Sequence, residues 1–484
     1  MVSYPTQQER LRRSAAAVDS PIGTLAGFRQ WFGELADADE TLVEPITFDA
    51  MRGWTFQPGT LNLVHDSGRF FAVEGIQVRM PGRSVAQWGQ PILNQPEIGI
   101  LGILAKEFDG ILHFLMQAKS EPGNQGGVQL SPTVQATRSN YTRVHQGKPV
   151  PYLEYFRRPD RHTVLADVRH SEQGSWFYRK RNRNMIVEVP PQDHVQVREG
   201  FRWLTLGQLH RLLAEEDVVN MDARSVLACL PYSALDALGP DDAGALPGDG
   251  RPPAGLHSTT DILSWVTGIR SEREVLTDLV PLSQVPQWSR SADRITHDTG
   301  RFFSIMAVDV RSTGREVAHW TQPLLAPHGP GVVAFLLADF DKVPHVLVHA
   351  RAEPGYTDVV ELAPTVQCTP SNYDHLPDEA APPFLEQVLQ APAERVLFDT
   401  ALSEEGGRFY HALNRYLVVE ADPADVPAET PDHRWIAVHQ LVGLLRHSHY
   451  LNVEARTLVA CLNGLALHPE TTSFAPTEDP QCGR

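Results

Sequence analysis

Long apolar runs are missing from this chain of 484 residues. No run approaches the roughly 20 residues that a membrane-spanning helix requires, and the first residues lack the apolar core of a signal peptide. We therefore expect a cytoplasmic protein that has no membrane partner.

Cysteine and positive charge are also scarce. The 4 cysteines lack metal-ligand spacing, and two of them, Cys229 and Cys461, lie in apolar helical stretches, so we expect buried reduced thiols. The chain has 42 lysines and arginines against 59 aspartates and glutamates, a formal net charge of −17. This charge argues against a nucleic-acid partner, because phosphates require a basic surface. It is compatible with a small anionic ligand held by a few local cations.

Familiar catalytic motifs are absent as well. The sequence contains no phosphate-binding glycine loop, no nucleophile elbow and no His, Cys or carboxylate cluster with the spacing of metal ligands. It therefore predicts a site that works without a metal ion, and nothing in it indicates another cofactor.

The chain does contain an internal repeat. The segment HDSGRFF at 65–71 matches HDTGRFF at 297–303, an offset of 232 residues. The same offset aligns SPTVQATRSNY at 131–141 with APTVQCTPSNY at 363–373, where eight of eleven positions are identical. Matches at one offset over nearly the whole module predict two halves of similar fold.

The chain length suits two domains of ordinary size better than a single core. We predict a first repeat with an N-terminal arm over 1–235 and a linker rich in Pro, Gly and Asp over 236–258. A second repeat over 259–467 and a disordered tail over 468–484 follow.

Apolar–polar alternation and turn signals predict the fold of each repeat. Two short helices are expected near the end of each copy, and Asp222 is the expected cap of the second helix in the first copy. The fold class is therefore α+β, with a mixed, mostly antiparallel sheet flanked by helices. In the first copy the expected strands are 69–79, 98–105, 111–118, 164–168 and 175–189, with a hairpin turn at Asp109-Gly110.

Polar residues shared by both copies are candidates for chemistry, because a duplicated core needs its apolar pattern rather than particular polar side chains. The shared pairs are His65/His297, Asp66/Asp298, Arg69/Arg301, Gln90/Gln322, Glu121/Glu353, Gln135/Gln367, Asn140/Asn372, Tyr141/Tyr373, Glu172/Glu404, Tyr178/Tyr410, Asn182/Asn414 and Arg183/Arg415.

Each shared position also has a structural interpretation, and the sequence leaves the choice open. Asp66 lies in a segment typical of a turn, whereas Trp88 and Trp320 fit either a core or a pocket wall that stacks on a base. Glu121 belongs either to a turn or to a sheet edge that presents a carboxylate. Arg183 either clamps a diphosphate or pairs with a carboxylate.

The copies differ at charged positions. Lys119 corresponds to Arg351, and the basic run at 179–181 corresponds to His-Ala-Leu at 411–413. Lysine can lose its proton when desolvated whereas arginine stays charged, so proton transfer at this position is open to the first copy only. The basic run fits a solvated edge strand equally well. If both halves bind a ligand, we expect that only one of them acts on it.

Taken together, the longest shared motifs resemble the NDP-hexose 2,3-dehydratases of deoxysugar biosynthesis, over about residues 24–467. The segments that carry the resemblance are QAKSEPG (117–123), LSPTVQATRSNY (130–141), SEQGSWFYRKRNRNMIVE (171–188), ARAEPG (350–355), APTVQCTPSNY (363–373) and SEEGGRFYHALNRYLVVE (403–420).

The resemblance implies a homodimer whose two halves each have a Nudix-like domain and can each hold a nucleotide sugar. It also implies a dTDP-linked 4-keto-6-deoxyhexose, dTDP-4-keto-6-deoxy-D-glucose, as substrate, and a pathway that makes the sugar of a glycosylated natural product such as an antibiotic. A 3-ketoreductase acting downstream would take the unstable product. The carboxylate-rich Nudix box is not visible in this sequence, which fits an elimination rather than a metal-dependent hydrolysis.

Such an elimination needs few groups. The C4 ketone acidifies the C3 hydrogen, so a general base removes it while a donor stabilises the developing enolate. The C2 hydroxyl, β to the ketone, then leaves as water, and the enol gains a proton at C2 to give the 3,4-diketo-2,6-dideoxy sugar.

We hypothesise that the first half is the working site, with Lys119, Glu121 and Tyr141 as acid/base and oxyanion candidates. Arg69, Arg183, Asn140 and Gln90 would hold the diphosphate and nucleoside, and Trp88 would stack on thymine. The full set of expected substrate-binding residues is His65, Arg69, Trp88, Gln90, Asn140, Tyr178, Arg183, Arg301, Trp320, Gln322, Asn372, Tyr373 and Arg415.

Two other functions are compatible with these residues. A sugar-nucleotide pyrophosphatase on a Nudix-like frame would release dTMP with a metal ion, and a non-catalytic protein would only bind the nucleotide sugar. The sequence does not say whether one half or one subunit completes the site of another.

Overall fold

The computed structural model describes residues 5–82, 85–137, 149–230, 255–312, 317–374, 376 and 381–465. Three predictions lie outside these ranges: the site residues Asn140 and Tyr141, most of the linker and the whole tail. Within the described part of the chain, no helix is long and apolar enough to cross a membrane.

The described residues of the first half form twelve strands, with α-helices before β1, between β9 and β10, and after β12. The strands are β1 Leu42–Ile46, β2 Trp54–Phe56, β3 Leu63–His65, β4 Ala72–Arg79, β5 Gln87–Asn94, β6 Gly99–Phe108, β7 Ile111–Ser120, β8 Val128–Ser131, β9 Val134–Ala136, β10 Thr163–Ser171, β11 Arg181–Val189 and β12 Phe201–Thr205. The helices are α1 Gln7–Ala16, α2 Leu25–Asp37, α3 Leu153–Arg157, α4 Leu206–Leu212 and α5 Met221–Leu227.

The second half repeats this order, which supports a duplication. Its strands are β13 Leu276–Val280, β14 Trp288–Arg290, β15 Arg294–His297, β16 Phe303–Arg311, β17 His319–Pro327, β18 Gly331–Phe340, β19 Val343–Arg351, β20 Glu361–Ala363, β21 Val366–Cys368, β22 Val396–Ser403, β23 Leu413–Glu420 and β24 His433–Ala437. Its helices are α6 Thr259–Glu272, α7 Leu385–Leu389, α8 Val438–Leu444 and α9 Val453–Leu465.

Each half has its own seven-stranded sheet, and these two sheets share one topology. The first has the order β10-β11-β6-β7-β12, with β8 on β7 and β9 on β6, and the second has the matching order β22-β23-β18-β19-β24. All pairs in the first sheet are antiparallel except β6 with β11, and the second sheet repeats this with β18 and β23. The predicted α+β class and mostly antiparallel pairing are confirmed.

Two smaller sheets join the halves by exchanging a strand. β1 of the first half pairs antiparallel with β16, with Val43 opposite Val310. Reciprocally, β13 of the second half pairs antiparallel with β4, with Leu279 opposite Ile76. Each half therefore completes a sheet of the other.

The largest core also spans both halves. It contains buried residues of α4 and α5 together with residues of α8 and α9. Two fully buried arginines cross the boundary: Arg224 donates to the carbonyl of Ser403, and Arg456 donates to the carbonyl of Ser171 at 2.7 Å. Burying a guanidinium without such acceptors would cost several kcal/mol, so these bonds fix the relative position of the halves.

Local predictions succeeded where the turn chemistry is strong. The hairpin at Asp109-Gly110 is confirmed: Phe108 pairs with Ile111, and the two turn residues have φ of 48° and 80°, as a primed turn requires. The described thiols of Cys229, Cys368 and Cys461 are free and buried, as expected for Cys229 and Cys461.

Two local predictions were wrong. Asp222 does not cap α5, because Asn220 is the cap and its side chain accepts a hydrogen bond from the backbone of Ala223. The strand expected from residue 175 begins only at Arg181, since Arg179 has φ of 51° and the preceding residues form a loop.

Candidate active site

A cavity of about 560 Å³ lies between the two halves. The ionisable and amide side chains that line it from the first half include Lys119, Glu121, Gln135, Lys180, Asn182 and Asp222. The second half contributes His319, Trp320, Gln322, Glu405 and Arg408. The site is therefore completed by the partner half, a choice that the sequence left open.

The Lys119–Glu121 pair lies in this cavity, where β7 ends. The ammonium of Lys119 is 3.1 Å from Glu121 Oε1, and Gln135 Nε2 on β9 donates to the same oxygen at 3.2 Å. The Glu121 side chain is only 6% exposed. Both interpretations of Glu121 are confirmed: its carbonyl accepts from the backbone of Asn124 at 3.0 Å in a turn, and its carboxylate lines the cavity at the end of a strand.

The loop that carries Glu121 is held by the other half. The backbone N–H of Gly123 donates to the carbonyl of Gly406 at 2.7 Å, and that of His411 donates to the carbonyl of Gly123 at 2.8 Å. A Cβ on Gly123 would lie 1.7 Å from the carbonyl oxygen of Phe409, so only glycine allows this approach. The repeated Glu-Pro-Gly motif is thus a contact between halves.

A second group of charged residues lines the same cavity, and the sequence-based site assignment did not include it. Lys180 precedes β11, is 5% exposed and donates to the carbonyl of Glu97. Asp222 lies in the first turn of α5, and Glu405 and Arg408 lie in the loop between β22 and β23.

Burial shifts the protonation of three of these groups. It lowers the pKa of Lys180 to about 8 and raises the pKa of Glu405 to about 7. It also raises the pKa of Asp222 well above its usual range, and the nearby carboxyls of Glu405 and Glu172 act in the same direction. Groups that change protonation near neutral pH are suited to proton transfer.

Two arginines supply positive charge around the cavity. Arg408 lies over the ring of Phe71 with its guanidinium carbon 4.4 Å from the ring centroid, and it donates to the carbonyl of Gly407 at 2.7 Å. Arg52 Nη2 is 3.7 Å from Asp309 Oδ2, and the Arg52 side chain is 61% exposed. The arrangement combines groups that can hold an anionic ligand with groups that can exchange protons.

The tryptophan and glutamine that line the cavity with Lys119 come from the second half. Trp320 Nε1 donates to Gln322 Oε1 at 2.8 Å, and Gln322 Nε2 donates to the carbonyl of Gly407 at 2.9 Å. The first-half counterparts Trp88 and Gln90 make the same bond to each other at 2.9 Å, but they do not line this cavity. Strand exchange thus brings together predicted residues of different copies.

Other predicted substrate-binding residues lie apart from the cavity wall. Arg183 forms a two-bond ion pair with Asp167 at 2.7 and 2.5 Å, and Arg415 forms the same pair with Asp399. Of the two interpretations left open for these arginines, the structure shows pairing with a carboxylate. The other predicted residues outside the described lining are Arg69, Tyr178, Arg301, Asn372 and Tyr373, whereas His65 belongs to the lining.

The corresponding region of the second half is arranged differently. Arg351 donates to Glu353 at 2.7 Å and to the carbonyl of Gln367 at 2.9 Å, so its guanidinium is occupied by protein acceptors. Ala412 stands where the first half has Lys180, and Gln173 stands where the second half has Glu405. A signal that would have found Lys180 and Glu405 is therefore the difference in charge between the copies.

Comparison with known proteins gives consistent matches over nearly the whole chain. The sequence model of a family described as NDP-hexose 2,3-dehydratase matches residues 25–230 and again 259–462. A protein of Amycolatopsis orientalis is 49% identical over 466 residues, which are 95% of this chain and 95% of the relative. One of Saccharopolyspora spinosa is 46% identical over 462 residues, 93% and 94% of the two chains. One of Streptomyces violaceoruber is 47% identical over 459 residues, which are 92% of this chain and 99% of the relative. All three are named dTDP-4-dehydro-6-deoxy-alpha-D-glucopyranose 2,3-dehydratase.

Proposed function

This chain belongs to the NDP-hexose 2,3-dehydratase family, and from that premise we propose that its cavity eliminates water from dTDP-4-keto-6-deoxy-D-glucose. The product is the 3,4-diketo-2,6-dideoxy sugar. The enzyme is accordingly a carbon–oxygen lyase, as the names of its relatives state for them.

The observation that carries the proposal is the Lys119–Glu121 ion pair inside a cavity built by both halves. In the proposed reaction the Glu121 carboxylate removes the C3 hydrogen, and the Lys119 ammonium stabilises the negative charge that develops on the C4 oxygen. Gln135 orients the carboxylate through its hydrogen bond. The same charges in water would be screened, whereas burial strengthens their action.

The nucleotide is assigned to Arg408 and Trp320 of the second half together with Arg52 of the first. Arg408 and the more exposed Arg52 are proposed to hold the diphosphate, because guanidinium groups bind phosphate oxygens through two donors at once. Trp320 is proposed to stack on thymine, with its ring fixed by Gln322. This assignment replaces the role given to Trp88 and Gln90 on sequence grounds.

Several finer points are proposed together. Each half has a Nudix-like fold, the enzyme is a cytoplasmic homodimer, it serves the pathway of a glycosylated natural product, and a 3-ketoreductase consumes its product. The sequence motifs that resemble the family support all four points. The mixed sheet with one parallel pair in each half also supports the first.

The test is incubation with dTDP-4-keto-6-deoxy-D-glucose in D₂O, with the product intercepted by chemical reduction and examined by NMR and mass spectrometry. We expect loss of the C3 hydrogen, loss of the C2 oxygen and deuterium at C2, all unaffected by EDTA. Metal-dependent release of dTMP would instead indicate a pyrophosphatase, and binding without turnover would indicate a binding protein.

A further inference from the structure

One wall of the cavity carries an ionisable pair that the duplicated module does not have elsewhere. Glu405 comes from the second half and Lys180 from the first, and both line the cavity. The corresponding positions of the other copies are Gln173 and Ala412, and neither residue has an ionisable side chain. Both ionisable side chains are therefore absent from the corresponding positions.

Glu405 faces the proposed catalytic pair. A Cβ built on Gly407 would lie 3.0 Å from Glu405 Oε1 and 3.7 Å from Glu121 Oε1, so the two carboxylates approach one point from opposite halves. Within the described ranges, no side chain donates a hydrogen bond to the Glu405 carboxyl, and Glu405 lines the cavity.

The corresponding position shows what a purely structural residue does there. Gln173 Nε2 donates to Glu404 Oε2 at 2.6 Å. The amide at this position therefore supplies a donor to a buried carboxylate, which an ionised carboxylate cannot do. Glu405 instead adds a carboxyl beside another carboxyl, Glu172, an arrangement that opposes stability and favours holding a proton.

The electrostatic surroundings of Glu405 comprise both signs of charge. Burial is the largest influence and raises its pKa to about 7, with Glu172 and Glu121 adding to the rise. Arg408 and Lys180 oppose it. At neutral pH the carboxyl is thus divided between its protonated and ionised forms.

We propose that Glu405, supplied by the second half, is the general acid that protonates the departing C2 hydroxyl, and that Lys180 is a positioning residue that stabilises the resulting carboxylate. The inference rests on the proposed function. After Glu121 has taken the C3 proton, the enolate electrons form the C2–C3 double bond, the C2–O bond breaks, and the proton of Glu405 leaves with the oxygen as water. A solvent proton then restores Glu405.

The experiment separates proton removal from water loss. In D₂O the Glu405→Gln variant should still exchange the C3 hydrogen of the recovered substrate, because its base is intact, while its rate of elimination falls by about 10²–10⁴-fold. Glu121→Gln should lose both exchange and elimination. Gln173→Met is the matched control, since Glu404 keeps Asn414 and Tyr416 as donors, and it should change neither rate.

A pH profile tests Lys180. Because the acid must be protonated, the wild-type elimination rate should fall as pH rises through about 7. Lys180→Met removes a positive charge beside Glu405, so that fall should move to higher pH, and in Glu405→Gln it should disappear. A purely structural lysine would leave the profile in place.

The outcomes distinguish two failures. A wild-type enzyme that does not eliminate water contradicts the proposed function itself. If the wild type eliminates, the inference is overturned when Glu405→Gln does so at the same rate. It is also overturned when folded Glu405→Gln, with its melting temperature unchanged, loses C3 exchange together with elimination.

Discussion

Lys119 and Arg351 occupy the same position of the duplicated module and both approach a buried glutamate. They differ in reach. Arg351 extends past Glu353 to the carbonyl of Gln367, so its donors are satisfied by protein groups. Among the described residues Lys119 pairs with Glu121 alone, and an ammonium has three donors, so donors are left for a substrate oxygen.

Exchanging these two residues tests this difference. We expect Lys119→Arg to lower kcat by about 10²–10³-fold, the usual effect of losing one oxyanion donor, because the arginine would bond as Arg351 does. Arg351→Lys is the matched control and should retain wild-type kcat. Steady-state kinetics with the 4-keto-6-deoxy substrate measures both. A Lys119→Arg enzyme with unchanged kcat would show that a fixed positive charge suffices at this position.

The candidate site could be predicted from the sequence only where the copies agree or differ visibly. Lys119 and Glu121 stood out because the Glu-Pro-Gly motif recurs and the lysine does not. Glu405 and Lys180 also differ between the copies, but the sequence does not show that they are buried beside each other, and that burial makes their protonation unusual. Both tryptophans were predicted to bind substrate, but the stacking role in the first-half site was given to Trp88, because the sequence does not show that Trp320 lines the cavity of Lys119.

At the level of elements, the cap of α5 connects a helix to the site. Asn220 Oδ1 accepts from the backbone of Ala223 at 2.9 Å, and its Nδ2 donates to Gln135 Oε1 at 3.4 Å. Gln135 in turn donates to Glu121. The second half has the same cap in Asn452, which bonds Ala455 and Gln367.

Removing the two caps should therefore have equal structural and unequal catalytic effects. We expect Asn220→Ala and Asn452→Ala each to lower the free energy of unfolding by about 1 kcal/mol, the typical contribution of a helix cap. Only Asn220→Ala should also lower kcat, by about tenfold, because Gln135 then orients Glu121 less well. Denaturant unfolding and kinetics measure the two effects. Equal kcat in both variants would disconnect the helix from the site.

The sequence predicts which strands and turns form better than it predicts which strands pair with one another. Side-chain alternation and an Asp-Gly turn identify the β6–β7 hairpin, because both signals act between neighbours in the chain. The pairing of β1 with β16 joins residues more than 260 positions apart. Periodicity says which face of a strand is buried but not which strand lies beside it, so this exchange was absent from the predicted fold.

For the whole molecule, reciprocal exchange makes the halves interdependent. Without its partner, either half would leave part of one edge of β4 or β16 unpaired, expose part of a shared core, and lose the cavity lining that the other half supplies. Exposed edge strands and apolar surface favour aggregation. The two copies of the module should therefore fold together as one unit, although the sequence pattern predicts two separate domains.

Dividing the chain tests this interdependence. We expect residues 1–230 and 255–484, each produced alone, to show no dehydratase activity and to aggregate. Produced together, the two pieces should regain activity, because β1 and β13 can then pair as they do in the intact chain. Size-exclusion chromatography and the elimination assay measure both outcomes. A first half that dehydrates the substrate by itself would show that neither Glu405 nor Trp320 is needed, and the site would have to be rebuilt from residues of the first half.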